Sequence, residues 1–473
     1  MTQLPTYPAY KPSGLPWLEE VPEGWTSLRG KAIFKIIDIR SETGSEELLT
    51  VSANDGVVPR RTKTVTMFMA KSYVGHKLCW PGDLVVNSLW AWMQGLGVSK
   101  YHGLISSAYS VYRPQNGYEN YARYFDYLLR SVVYKWELLT RSKGVWLSRL
   151  QLLDSAFMDM PIILPPPAEQ LAITRYLDHA TRRIDGAIRA KRRLIALLQE
   201  QKQAIIHKAV TRGLDPNVKM KDSGVEWLGE VPEGWEVRRL RTIVKRIDQG
   251  ISPLAEGFLA DHNSWAVLKS GCVNRGIFRE TEHKKLAKDF EIDPNIVVNI
   301  GDVLTSRASG SPSLVGSTAK VECLNYHLIL SDKIFRPVFK NFIDIDFIVY
   351  AMNSRYYRHQ VEQAISGAEG LANNLPLSSL KGFQFVIPPP EEQSRIVHYL
   401  KSILRNLDTT ISTTEHQIAL LREYRTRLIA DVVTGKVDVR AAAAGLTEEA
   451  EDKLEENAAL QTEEEPAEFD QDA

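Results

Sequence analysis

Cysteine is scarce in this chain. The three present, Cys79, Cys272 and Cys323, stand far apart in 473 residues, with no Cys-x-x-Cys and no histidines at metal-type spacing beside them. That excludes a recognisable zinc module and a disulfide framework, and it points to a reducing, cytoplasmic setting. No run of 18 apolar residues occurs, and residues 1–14 carry neither a charged leader nor an apolar stretch. Neither a membrane span nor a secretion signal is therefore expected. Also missing are a Gly-x4-Gly-Lys phosphate loop, a glycine-rich cofactor loop in the right context and an Asn/Asp-Pro-Pro-aromatic methyltransferase motif. The ten histidines are scattered, and His207, His359 and His398 fall in helix-like runs that suit a surface or a seam. No carboxylate cluster followed by lysine suggests a nuclease. The sequence predicts no catalytic residue, metal site or cofactor site in this chain.

Net charge is also absent, but only in sum. Residues 447–473 hold 12 Asp or Glu and a single Lys, which leaves 57 basic against 46 acidic side chains in the remainder. The body thus has a basic surplus of 11, a mild pointer to a polyanionic partner. The tail, 441–473 in this reading, is polar enough to be expected disordered, either solubilising or screening that basic surface.

What the sequence has in abundance is self-similarity. Glu-Val-Pro-Glu-Gly-Trp stands at Glu20–Trp25 and again at Glu230–Trp235, each preceded by a Trp-Leu pair, Trp17-Leu18 and Trp227-Leu228. A shared turn would account for Pro and Gly, with Gly free to take positive φ, but not for the matching Val, Glu and Trp. Other landmarks recur at an offset of 223. Leu164-Pro165-Pro166-Pro167-Ala168-Glu169-Gln170 is answered by Ile387-Pro388-Pro389-Pro390-Glu391-Glu392-Gln393, and Tyr176-Leu177 and Asp185 by Tyr399-Leu400 and Asp408. Between them, Pro81-Gly82-Asp83-Leu84-Val85 resembles Ile300-Gly301-Asp302-Val303-Leu304 at an offset of 219. The chain is a tandem duplication with a constant part and a variable part.

The constant part is helical. After each proline step, apolar or long side chains fall three and four apart: Leu177, Ala180, Ile184, Ile188, Lys191, Ile195, Leu198, Lys202 and Ile205, then Leu400, Ile403, Leu407, Ile411, Thr414, Ile418, Leu421, Arg425 and Leu428. A run of about 44 residues makes a helix about 66 Å long, whose stripe needs a partner, and the other copy is the natural one. Proline ends the strand and suits a helix start, with acidic residues favouring the first turn. The variable parts carry short apolar runs broken by Gly, Pro and Asn, as α+β domains do. The reading is an α+β chain of two globular domains, 14–165 and 224–388. Two long, antiparallel, coiled-coil-like helices, 166–213 and 389–438, join them in a pseudo-twofold repeat. The tryptophans that open each domain are expected to be core anchors.

This alternation of globular domain, Pro-Pro-Pro-x-Glu-Gln helix, globular domain and second such helix resembles the DNA-sequence specificity subunit of type I restriction-modification systems. The resemblance spans residues 14–440 and rests on Trp-Leu…Val-Pro-x-Gly-Trp, the mid-domain Gly-Asp strand and the proline step. The Gly82-Asp83 neighbourhood fits the family's target-recognition domains well, and the Gly301-Asp302 neighbourhood more loosely. The resemblance implies that each domain recognises one half of a split, asymmetric double-stranded DNA site. It further implies that the helices serve as spacer and dock for two adenine methyltransferase subunits, which motor-nuclease subunits join. S-adenosylmethionine, ATP and Mg would then belong to those partners, since an adenine in a duplex must be flipped out to be methylated. A coiled-coil scaffold without DNA binding, or a stand-alone enzyme with an unrecognised site, are the competing classes.

Candidate DNA contacts follow from residue type and loop context. In the first domain Arg60, Arg61 and Lys63 lie in Val-Pro-Arg-Arg-Thr-Lys-Thr-Val-Thr, where Arg suits guanine and Lys suits phosphate. Ser88, Trp90, Trp92, Gln94 and Lys100 lie in the loop after the Gly-Asp strand, and Ser306, Arg307, Ser309, Ser311 and Lys320 in its counterpart. Lys284-Lys285 and Asn373-Asn374 are weaker candidates. Asp83 and Asp302 are expected to orient a turn, because phosphate repels a carboxylate.

Overall fold

The computed structural model of the chain describes residues 4–63, 70–144, 150–287, 289–366 and 373–446. It divides into two compact units, Met1–Arg192 with Glu415–Ala473 and Arg193–Thr414. Both have mixed helix and strand content.

In the first unit a four-stranded antiparallel sheet has the order Phe34–Ile37, Ser110–Pro114, Leu84–Val86, Leu96–Val98. Two short helices, Ala122–Leu129 and Val132–Arg141, carry Tyr124, Phe125, Leu128, Leu129, Tyr134 and Leu138 into the core. Thr26–Arg29 pairs antiparallel with Pro161–Leu164, Thr26 facing Leu164. A helix then runs from Pro167 to Arg212, of which residues up to Arg192 belong to this unit. Its companion here is the distal part of the second long helix, Pro390–Val433. Arg425 Nη1 donates to Asp185 Oδ1 at 2.6 Å and Lys191 Nζ to Gln417 Oε1 at 2.6 Å. As one residue number rises the other falls, so the two segments run antiparallel within this unit. The sequence boundary at residue 14 cuts a hairpin, because Tyr10–Leu15 pairs with Leu18–Pro22.

The second unit repeats the plan with different dressing. Its four-stranded sheet has the order Val244–Gln249, Ile334–Phe339, Val303–Ser306, Thr318–Lys320. A three-stranded sheet of His283–Lys285, Trp265–Leu268 and His327–Ile329 forms a second core with Cys272, Val273, Leu286 and Leu304. Glu236–Arg239 pairs with Gln384–Ile387, Glu236 facing Ile387. Ile206, Ala209 and Val210 of the first long helix pack in one cluster with Ile396, Leu400 and Leu404 of the second. Lys202 Nζ lies 2.5 Å from Asp408 Oδ1. This unit begins before residue 224, since Met220–Asp222 already pairs with Glu230–Pro232.

The strand registers explain the repeated hexapeptide. In the first unit, pairing Thr26 with Leu164 sets Trp25 beside the proline step, where its indole is fully buried and donates to Glu169 Oε1 at 2.7 Å. In the second unit the register of Glu236 with Ile387 does the same for Trp235, 1% exposed, which donates to Glu392 Oε2 at 2.8 Å. Burying an indole of roughly 200 Å² contributes about 5 kcal/mol as an upper value. The turn itself is closed by the amides of Trp25 and Trp235 donating to Pro22 and Pro232 carbonyls, both at 2.9 Å. Gly24 and Gly234 do not take positive φ there, so the turn does not itself require glycine.

Two glycines at positive φ end the long helices. Gly435, at φ 75°, lies so close to the first unit's hexapeptide that a Cβ would meet Pro22 Cδ at 2.3 Å. Gly213, at φ 74°, lies in the second unit with a Cβ position 3.1 Å from Trp235 Cζ2. After Val433 the chain turns back into the first unit. The Asp438 amide donates to the Pro5 carbonyl at 2.7 Å, the Tyr10 hydroxyl to Gly435 O at 3.2 Å, and Arg440 lies 5.0 Å over the Tyr7 ring. Arg440–Ala444 forms a short helix with Val439 and Ala443 buried, so a tail beginning at 441 starts too early. The helix ends at Val433 rather than 438. Residues 447–473 lie outside the described residues, as do Thr64, Val65 and Thr66 of the basic stretch.

Candidate nucleic-acid interface

Each unit presents a loop after its Gly-Asp strand, and the aspartate builds the turn below it. Gly82 sits at φ 91°, which a side chain would strain. Asp83, 1% exposed, accepts from the Trp80 amide at 2.9 Å and from Arg113 Nε and Nη2 at 2.6 and 2.8 Å. That two-point bond holds the Arg113 guanidinium above its ordinary pKa. In the second unit Gly301 is at φ 93°, and Asp302 accepts from the Asn299 amide at 2.9 Å and Arg336 Nη1 at 3.0 Å. Arg336 also reaches Asp248 at 2.8 Å. Both carboxylates are committed to the fold.

The first-unit loop is pinned from below. Ser88 is 4% exposed, with Oγ donating to Ala108 O at 2.9 Å, which commits the hydroxyl to the fold. Gln94 takes a left-handed φ of 62° and spends its amide on the Arg130 and Ser131 carbonyls at 2.7 and 2.9 Å. Lys100 remains exposed. Between these anchors Trp90 and Trp92 stack, centroids 6.1 Å apart and planes 14° apart, with Trp90 56% exposed. Arg60 and Arg61 lie on a 3-10 turn, Arg60–Thr62. Arg61 reaches Glu47 at 2.8 Å but keeps 76% of its side chain in solvent. Lys63 bonds Asp55 at 2.6 Å. Burial alone would raise the Asp55 pKa; bonds from Lys63 and Ser52 outweigh it and hold it low.

The second-unit loop is polar and differently held. Ser306 is fully buried inside the sheet, and Lys320 Nζ is bound to Asp346 at 2.7 Å. Arg307 is half-buried and donates to the Asp332 carbonyl at 3.0 Å. Ser309 sits on a two-residue strand, Ala308–Ser309, paired with Asn373–Asn374, which brings the three candidates Ser309, Asn373 and Asn374 together at one edge. The Ser309 hydroxyl accepts from the Ser311 amide at 3.3 Å, and the Ser311 and Ser313 hydroxyls lie 2.9 Å apart. Lys284 is exposed, whereas Lys285 is paired to Asp261 at 2.8 Å.

Sequence reasoning missed an apolar surface in the first unit. On the helix Val132–Arg141 the buried side carries Tyr134, Glu137 and Leu138, while Val132, Trp136 and Leu139 are exposed, Trp136 by 51%. The i, i+4, i+7 spacing of the exposed set reads as a core stripe, and only the partner packing distinguishes the faces. In the second unit Leu254, Phe258 and Leu259 are likewise exposed on a segment with no periodic signal. Among the described residues no three His, Cys, Asp or Glu side chains converge as a metal site requires, and no helix is long and apolar enough to cross a membrane. The arrangement offers positioning: rigid loops with exposed indoles, serines, Lys100 and Arg61, on a body with a basic surplus.

Similarities to known proteins follow the same lines. The sequence model of the Type I restriction modification DNA specificity domain matches residues 232–420. The chain is 28% identical over 181 residues to the EcoEI specificity subunit of Escherichia coli, a match covering 38% of this chain and 30% of that subunit. It is 27% identical over 321 residues to the MjaVIII specificity subunit of Methanocaldococcus jannaschii, covering 66% of this chain and 70% of the relative. The chain thus spans under a third of one of these relatives and about two thirds of the other. A solved chain from work on complex assembly and conformational transition of the type I R-M system shares the fold, with a TM-score of 0.62 at 17% identity. That likeness covers 88% of this chain and 99% of the other. With its two Pro-Pro-Pro-x-Glu-Gln joints and a matching specificity domain over residues 232–420, the chain is similar to the type I restriction-modification specificity subunits.

Proposed function

We propose that this chain is the non-catalytic, sequence-reading component of a type I complex. Each globular domain reads one half of a split, asymmetric double-stranded DNA site. The two long helices act as antiparallel spacer and as dock for two adenine methyltransferase subunits, with ATP-dependent motor-nuclease subunits joining them. S-adenosylmethionine, ATP and Mg are assigned to those partners. The observation that carries the reading is a contrast within the repeat. The Trp–Glu joints and the Gly-Asp turns are the same in the two units, while the loops above the turns differ: stacked indoles in one, Arg307 and a run of serines in the other. A duplicated chain that reads two different half-sites needs like supports and unlike readers.

The test is co-expression with the neighbouring methyltransferase subunit and mapping of methylated adenine across the host genome by single-molecule sequencing. A split motif with a fixed spacer, of which one half changes when residues 14–165 are replaced, supports the reading. No motif in cells with a demonstrably active methyltransferase would favour a coiled-coil scaffold without DNA binding.

A further inference from the structure

In the first unit the helix Ala122–Leu129 is clasped to the start of the first long helix. Arg123 Nη2 lies 2.5 Å and Nε 3.0 Å from Asp178 Oδ1, and the Tyr127 hydroxyl donates to the same oxygen at 2.5 Å. The guanidinium also lies 4.8 Å from the Tyr127 ring centroid. At the repeat-equivalent positions of the second unit, 223 residues later, stand Asp346, Tyr350 and Lys401. Lys401 Nζ bonds Asp346 Oδ2, and Lys320 Nζ bonds Asp346 Oδ1 at 2.7 Å. Both pairs are separated by 55 residues and both join a domain helix to the first turns of a long helix. The contact is kept and its polarity is exchanged.

Other contacts at the same joint are not exchanged. Trp25 with Glu169 and Trp235 with Glu392 are alike, so they cannot tell one domain from the other. The clasp can. We infer that the reversed ion pair keys each globular domain to its own long helix, so that the two domains are not interchangeable between the two positions. A first domain set on the second helix brings Arg123 against Lys401. A second domain set on the first helix brings Asp346 against Asp178, but with Lys320 still bound to Asp346. Like charges held at such distances in a half-buried contact oppose docking, and specificity comes from that repulsion as much as from the native attraction. Under the DNA-reading proposal, on which this consequence rests, the key fixes which half-site is read from which position.

The test uses the full chain with Asp178→Asn, Asp178→Lys, Arg123→Asp and the double variant R123D/D178K. Thermal unfolding and native-state hydrogen exchange of the helix Ala122–Leu129 are the readouts. Asp178→Lys should lower the midpoint by several degrees and by clearly more than Asp178→Asn, because only the former adds repulsion. The double variant, which installs the second unit's polarity, should recover much of the loss that either reversal causes. Asp178→Lys equal to Asp178→Asn, or reversals that simply add in the double variant, would overturn the key. A second arm places domain 14–165 on the second helix with and without Lys401→Asp, and predicts a higher folded yield with the substitution. Both readouts are independent of DNA. A restored fold with no methylation motif would count against the DNA reading, and a motif read equally well from either position without charge exchange would count against the key.

Discussion

One oxygen of Glu169 receives two donors: the Trp25 indole at 2.7 Å and the Tyr7 hydroxyl at 2.5 Å. Burial raises the Tyr7 phenol far above its ordinary range, with the Glu169 bond adding to it, so it stays protonated as a donor. Replacing Glu169 with Ala strands both donors and should cost about 2–4 kcal/mol, more than Glu392→Ala, which strands the Trp235 indole. Glu169→Gln keeps an acceptor oxygen and should lose less. Denaturant unfolding with hydrogen exchange on each unit reports the difference, and equal losses for the two alanine variants would contradict the two-donor account.

The helix-ending glycines make a paired prediction of unequal size. A left-handed φ costs any ordinary side chain about 1 kcal/mol or more. At Gly213 the nearest neighbours of an added Cβ, at 3.1 Å, are side-chain atoms of Glu392 and Trp235, which leaves Ala a modest penalty. At Gly435 the same carbon would lie 2.3 Å from a proline ring atom that cannot rotate away. Gly435→Ala should therefore reduce the thermal midpoint well beyond Gly213→Ala, by several degrees.

Acid should loosen the second unit through His207. Its Nδ1 is buried with no partner among the described residues, and burial, then Arg355 and Arg212, hold its pKa below the ordinary value of 6.5. A histidine with a depressed folded pKa contributes stability above its unfolded pKa and loses it as pH falls through the folded one. The unfolding midpoint of this unit should thus fall between pH 7 and pH 5. His207→Gln, which never charges, should flatten that part of the profile, and an unchanged slope would show that another group governs it.

Loop substitutions should separate contact from support. If the first domain binds DNA through its exposed cations, Lys100→Ala should weaken binding across sequences and reduce the salt-dependence slope by about one phosphate contact. Ser88→Ala should cost about 1 kcal/mol of stability through its lost bond to Ala108 and leave that slope alone. Fluorescence anisotropy with duplex DNA at several salt concentrations distinguishes them.

Why some of this was legible follows from what a one-dimensional pattern can hold. Helical spacing is local, and Leu177, Ile184, Ile188, Thr414, Ile418 and Leu428 in the periodic series are all buried. The α+β character came from short apolar runs between breakers, and the duplication from identities that need no geometry. Side-chain partners are not local. Ser88 and Ser306 look like loop hydroxyls until Ala108 and the neighbouring strands cover them, and Gln94 looks free until the Arg130 and Ser131 carbonyls take its amide. Lys320 reads as a phosphate ligand because nothing in the loop announces Asp346. Trp136 gave no signal at all, since its core-like spacing falls on an exposed face.

The hydrogen bond from the Asp438 amide to the Pro5 carbonyl has a consequence for how the chain is written. In the second unit the peptide chain itself leads from Gly213 through Leu214 to the strand Met220–Asp222. In the first unit the corresponding step, from Gly435 to the strand Tyr10–Leu15, is made by hydrogen bonds between remote positions instead of by peptide bonds. The sequence order is thus cyclic in structural terms, and the same set of contacts can be read starting at either step. A gene reopened between residues 214 and 219, with residue 446 tied to residue 4 by a short linker, would encode a different string of letters and the same two units.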